Sequence, residues 1–241
     1  MNNKNTDNRQ QVRIIDKLLH CGLPFALFRA PQHEPTLYLQ LDAEVKCLHH
    51  DDTDLQGFIY APFEETQETP TILIRPDLLA HGWGDMETQL AGITASAPMC
   101  LDTLTRPSAE QEDASYKTRF HLCLEAIHRG EFNKLVTAKC QCAKGTDHLH
   151  DHEATVFLQA LEAYPGNMVH LVYTPLTGLW IGASPELFLS QREGIWQTMA
   201  LAGTQAKGEG TWSAKNIEEQ DYVARFIHDL LVSLEATMES E

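Results

Sequence analysis

The chain has 241 residues, 43% of them hydrophobic, enough to bury a core in one large domain or two small ones. Its 18 Lys and Arg stand against 34 Asp and Glu, a net charge of −16 that repels nucleic acid and anionic membranes at long range, so neither is an expected partner. Six scattered cysteines without a CxxC pair, a polar start (MNNKNTDNRQ) and no apolar run near the ~20 residues of a bilayer span point to the reducing cytoplasm.

In chain order, Val12, Ile15 and Leu19 recur at helical spacing, which predicts a helix over 8–20 with Gly22 as its stop. The runs LPFALFR, TLYLQL, GFIYAPF and TILIRP are short, apolar or alternating, and separated by Pro, Asp and Gly, the pattern of antiparallel strands. A polar, aperiodic stretch over 103–112 reads as the joint between an N-terminal strand-rich region, 1–108, and a second region, 109–241. From Asp113 the period turns helical, with Tyr116, Phe120, Cys123, Leu124 and Ile127 on one side and Gly130 past the end. NKLVTAKCQCA then reads as a strand, GTDHLHDHE as a loop, and ATVFLQALEAY as a helix closed by Pro165-Gly166. MVHLVYT, LWIGAS, ELFLSQ and IWQTMALAG form a meander divided by PLTG, Pro185 and REG. The last helix is capped by Ser213 and carries Val223, Phe226, Ile227, Leu230, Leu231 and Leu234 as a broad apolar stripe. Helices and strands are segregated along the chain, so the expected class is α+β with a large antiparallel sheet.

Three charged residues stand on otherwise apolar elements, and burying an unpaired charge costs several kcal/mol, so each needs a reason. Glu219 shares its helix face with Val223 and Phe226, which turns its carboxylate inward; a hard cation such as Mg²⁺ would satisfy it, and a first-turn glutamate favoured by the helix dipole is the plain alternative. Glu186 shares a strand face with Ser184 and Phe188, where apolar walls would suit it to a general acid and a solvated outer face would give it no role. Lys134 opens a strand on the face of Val136 and Ala138, either as an exposed strand start or, desolvated, as a base. Two His/Asp clusters, His49-His50-Asp51-Asp52 and His148, His150 and His152 with Asp147 and Asp151, sit in polar loops and read as solvated rather than as metal sites.

Read together, NKLVTAK at 133–139, GASPELFL at 182–189, ALAGT at 200–204 and SAKNIEEQDYV at 213–223 resemble the motifs of the chorismate-utilising enzymes, the family of isochorismate, salicylate, anthranilate and aminodeoxychorismate synthases. The resemblance is specific from about Tyr116 onward and weak before it. It implies the α+β fold of that family, antiparallel sheets flanked by helices, with 109–241 as the first, incomplete part of the catalytic domain.

It further implies that Lys134 is the base that activates water at C2 of chorismate, that Glu186 is the acid that protonates the departing C4 hydroxyl, and that Glu219 is one carboxylate of an Mg²⁺ site. Ala202, Gly203 and Thr204 resemble the loop that lies against the substrate ring. Relatives that deliver an amine usually carry glutamine where Lys134 stands, and common aminodeoxychorismate synthases carry a nucleophilic lysine where this chain has Ala202, so a water-using member is expected: isochorismate synthase first, salicylate synthase second. Menaquinone supply is the expected pathway, ahead of siderophore supply. Lys139, Gln205 and Gln220 depart from the arginine, arginine and histidine common at those places. Family members are longer, so the chain is expected to lack the second half of the sheet. That makes a complementing C-terminal fragment the macromolecular partner to look for, and a catalytically incompetent fragment the alternative to an active enzyme.

Overall fold

A computed structural model of the protein describes residues 2–49, 51–53, 55–94, 108–141, 152–208 and 210–234. Chain contacts divide it into two units that interleave in sequence: residues 1–104 with 145–185, and residues 105–144 with 186–241. The stretch 145–185, which lies past the sequence joint near 108, thus belongs with the N-terminal unit.

The first unit is built on a five-stranded antiparallel sheet of order β6-β2-β1-β7-β8, with β1 Phe25–Arg29, β2 Thr36–Leu39, β6 Leu78–His81, β7 Met168–Thr174 and β8 Gly178–Ser184. Side chains alternate across it with period two, and the register sets which residues share a face: Leu27 lies opposite Leu37 and Leu171, whereas Ala26 lies opposite Tyr38 and Val172. The leucine face packs on α1 (Asn2–Cys21), α2 (Gly82–Leu90) and α4 (Glu153–Ala163), through Ile15, Leu18, Met86, Leu90, Phe157 and Leu161 among others. The other face meets a small sheet of β3 (Lys46–Cys47), β5 (Ile72–Ile74) and β4 (Phe58–Tyr60), where Ile74, Phe58 and Tyr60 close over Ala26 and Val172. Helix α1 begins earlier than the apolar spacing predicts, and β3, β6 and α2 have no signal among the predicted elements. The α+β class with antiparallel sheets is as expected.

The second unit has α3 (Ala109–His128), a hairpin of β9 (Ser190–Arg192) and β10 (Ile195–Gln197), and α5 (Ala214–Ser233). Helix α3 starts inside the predicted joint because Ser108 makes a capping box with Gln111, each side chain satisfying the other's backbone N–H. The hairpin turns at Glu193-Gly194, both at positive φ (53° and 84°), the geometry of a two-residue type I′ loop, which is why REG marks it. Two expectations fail here. NKLVTAKCQCA forms no strand over its described residues 133–141, since among the described residues no neighbouring segment offers it a ladder, and ELFLSQ becomes strand only from Ser190. The stripe of α5 also divides: Val223, Ile227 and Leu231 are half-buried with Glu219 and Gln220, while Phe226 and Leu234 are 70% and 68% exposed. Among its described residues this unit buries only Ala126 fully.

Candidate active site

Lys134, Glu186, Ala202, Gly203, Thr204 and Glu219 all fall in the second unit, although 145–185 interrupts them in sequence. The segment that carries Lys134 is held along α3 by polar contacts in place of a ladder. Thr137 Oγ1 lies 3.1 Å from Tyr116 Oη, Lys139 Nζ donates to Asp113 at 2.8 Å and stands 5.5 Å from the centre of the Tyr116 ring, and the Cys140 N–H donates to Glu112 at 3.4 Å. With that segment fixed, Lys134 Nζ reaches Glu219 Oε1 on α5 at 2.9 Å, joining residues 85 apart in the chain. Both side chains are partly screened from water, 26% and 31% exposed. The Lys134 hydrogen bond, then its charge and a smaller contribution from Lys215, hold the Glu219 carboxyl below the ordinary glutamate range against a small opposing desolvation. Glu219 is thus an ionised oxygen donor in a half-open position, and the inward turn predicted for it is met by a cation from the chain itself.

The loop 200–204 is tied to the same first turns of α5. The Ala202 N–H donates to Gln220 Oε1 at 3.0 Å, and Gln220 Nε2 donates to the Ala200 carbonyl. Gly203 sits close against the helix: a Cβ there would lie 3.2 Å from Asn216 Cβ, 3.3 Å from the Asn216 carbonyl oxygen and 3.4 Å from the Trp212 ring, so a side chain would require its neighbours to give by a few tenths of an ångström. Ala202 and Gly203 are half-buried and Thr204 is exposed. Ser213 starts α5 by accepting the Asn216 N–H at 3.1 Å, which sets the turn from which Asn216, Glu219 and Gln220 project.

Glu186 is on the irregular stretch between β8 and β9, not on a strand, and it is exposed; its expected face-mate Phe188 is 92% exposed, so the apolar walls predicted around this carboxylate are not formed by that residue. Pro185 explains the break, since it cannot donate to a ladder continuing from β8. Of the two His/Asp clusters, Asp52 accepts from Lys46 Nζ at 2.5 Å and from the His49 N–H at 2.8 Å, an ordinary loop closure, while His50, His148, His150, Asp147 and Asp151 lie outside the described residues. Among the described residues no group of three or more His, Cys, Asp or Glu gathers as a metal site, and no helix is long and apolar enough to cross a membrane. The sequence marked Gln220 only as a departure from the histidine common at that place and gave it no role; the structure shows its amide beside Glu219 on the half-buried side of the helix.

The arrangement brings a lysine–carboxylate ion pair and a close-packed glycine loop to the first turns of one helix. A family model described as chorismate binding enzyme matches residues 31–222, so the match starts well before Tyr116 and runs through both units. No curated protein and no solved structure matches the chain.

Proposed function

Because the chain belongs to the chorismate binding enzyme family, we propose that it is an isochorismate synthase, interconverting chorismate and isochorismate with Mg²⁺. The observation that carries the reading is a lysine at 134 whose side chain keeps access to water: once deprotonated its amine can take a proton from water, whereas the amide expected at this place in amine-delivering relatives cannot. In the forward direction Lys134, which at rest is an ammonium paired with Glu219, first gives its proton to solvent, and the amine so formed removes a proton from a water whose oxygen bonds to C2. The ring double bonds shift, the C4–O bond breaks, and Glu186 gives its proton to the hydroxyl, which leaves as water. One water enters and one departs, so no other reactant is required.

Ala202, Gly203 and Thr204 lie against the ring in this reading, with Gly203 allowing the backbone itself to approach. Mg²⁺ takes one or two protein carboxylates and completes its shell with substrate and water, so the ionised, half-open Glu219 fits it as a ligand. When bound, the ion supplies positive charge to the carboxylate of the substrate, a need set by the net charge of −16. The cytoplasm is the proposed compartment, and menaquinone supply the proposed pathway ahead of siderophore supply. A second reading, that these residues turn over only with a complementing partner, is favoured by the exposed apolar ridge of α5.

Incubation with chorismate and Mg²⁺, with chromatographic resolution of the products, tests both. Isochorismate that disappears in Lys134→Ala supports the synthase. Salicylate with pyruvate would replace it by salicylate synthase, and turnover that requires a supplied C-terminal half would establish the second reading.

A further inference from the structure

Gln220 follows Glu219 on α5 and directs its amide at the backbone of the loop that carries Ala202, Gly203 and Thr204. Its Oε1 accepts the Ala202 N–H at 3.0 Å and its Nε2 donates to the Ala200 carbonyl, and both bonds are partly buried. A carbonyl at one residue and an N–H two residues on lie along the same edge of an extended chain, so the amide pairs with them as a neighbouring strand would. Among the described residues, no strand pairs with 198–208. The side-chain amide therefore takes the place of a ladder, and the contact of Gly203 with Asn216, one turn earlier on the same helix, closes the attachment.

We infer that Gln220 is a positioning residue that holds the 200–204 loop in register with Glu219, so that the backbone facing the substrate ring and the Lys134–Glu219 pair keep a fixed spacing. This rests on the reading of the site as a chorismate site. The amide neither gives nor takes a proton near neutral pH and acts only through the loop. Both of its halves are needed: glutamate in its place keeps the acceptor for the Ala202 N–H but has no donor for the Ala200 carbonyl, and leucine keeps the bulk and neither bond.

The test uses the whole chain as Gln220→Leu and Gln220→Glu, with two readouts. Hydrogen exchange at the Ala202 amide, without ligand, should quicken about 10-fold in Gln220→Leu, the order expected from losing these bonds, while the helical amides of α3 stay unchanged as a control on folding. Chorismate affinity in the presence of Mg²⁺, read by calorimetry, should weaken by about 10-fold in Gln220→Leu and by less in Gln220→Glu; where turnover is measurable, KM should rise more than kcat falls. Unchanged exchange at Ala202 would overturn the attachment. Faster exchange with wild-type chorismate affinity would overturn the positioning role and leave a purely structural bond. Absence of chorismate binding by the wild-type chain would instead refute the substrate reading, and the positioning role toward that substrate with it.

Discussion

Gly182 and His170 face each other across the β7–β8 pair, and the space between them is filled by the imidazole. A Cβ at position 182 would lie 2.4 Å from His170 Cε1 and 2.6 Å from Nε2, against the ~3.5–4.0 Å at which non-bonded carbons rest. In Gly182→Ala the ring must therefore move by more than about 1 Å or the strands must part. The obstructing atoms are the far end of a side chain, not backbone, so the cost should fall in the lower part of the overpacking range, about 1–2 kcal/mol. In a His170→Ala background the same substitution meets no ring and should be close to neutral. Urea unfolding of the wild type, the two single variants and the double variant gives the coupling directly, which should be about 1–2 kcal/mol with unchanged m-values. Equal cost for Gly182→Ala in both backgrounds, or none in either, would refute the steric account. A changed m-value would mean that β8, an edge strand, had left the sheet.

Other substitutions probe the site and its supports. Lys134→Gln keeps a polar side chain but removes the proposed base, and on the isochorismate synthase reading should lower kcat by about 10²–10⁴-fold, read by product chromatography. Ser213→Ala removes the cap of the helix that carries Glu219 and Gln220, and should cost about 1 kcal/mol in denaturant unfolding, with faster amide exchange in the first turn of α5. Burial holds the imidazole pKa of His170 below its usual value, so the unfolded chain binds the proton first as pH falls. The stability this residue contributes is complete above about pH 6.5 and is lost as pH drops from there toward the lower folded value, by at most about 1.4 kcal/mol per pH unit for one proton. His170→Leu should flatten that part of the stability profile, and an unchanged slope would show that another group titrates.

The legible parts of the fold are those set by local periodicity. Ile15 and Leu19 on α1, the alternation in β1 and β7, and the Ser213 cap of α5 can each be read from a window of a few residues, because 3.6- and 2-residue periods decide which side turns inward. REG could be read as a turn since Gly194 takes positive φ at no cost. NKLVTAKCQCA has strand composition and yet, over its described residues 133–141, forms no strand and is held to α3 by Thr137, Lys139 and Cys140, because a strand is completed by its neighbour and not by its own residues. Phe226 has the spacing of a core residue and stands exposed for a related reason: an amphipathic stripe specifies a face to be covered, not what covers it.

At the candidate site, the sequence by itself determined that Glu219 turns toward the half-buried side of its helix, that Lys134 follows a helix ending near Gly130, and that a glycine stands in the ALAGT loop. Only the tertiary structure decided that Lys134 and Glu219 meet at 2.9 Å, that Gln220 and not a strand holds Ala200 and Ala202, and that 145–185 joins the N-terminal unit while its flanks form another. The reason is physical. Backbone periodicity is fixed over three or four residues, but a contact across 85 residues is chosen by the packing of the helices and loops between, which no local pattern encodes.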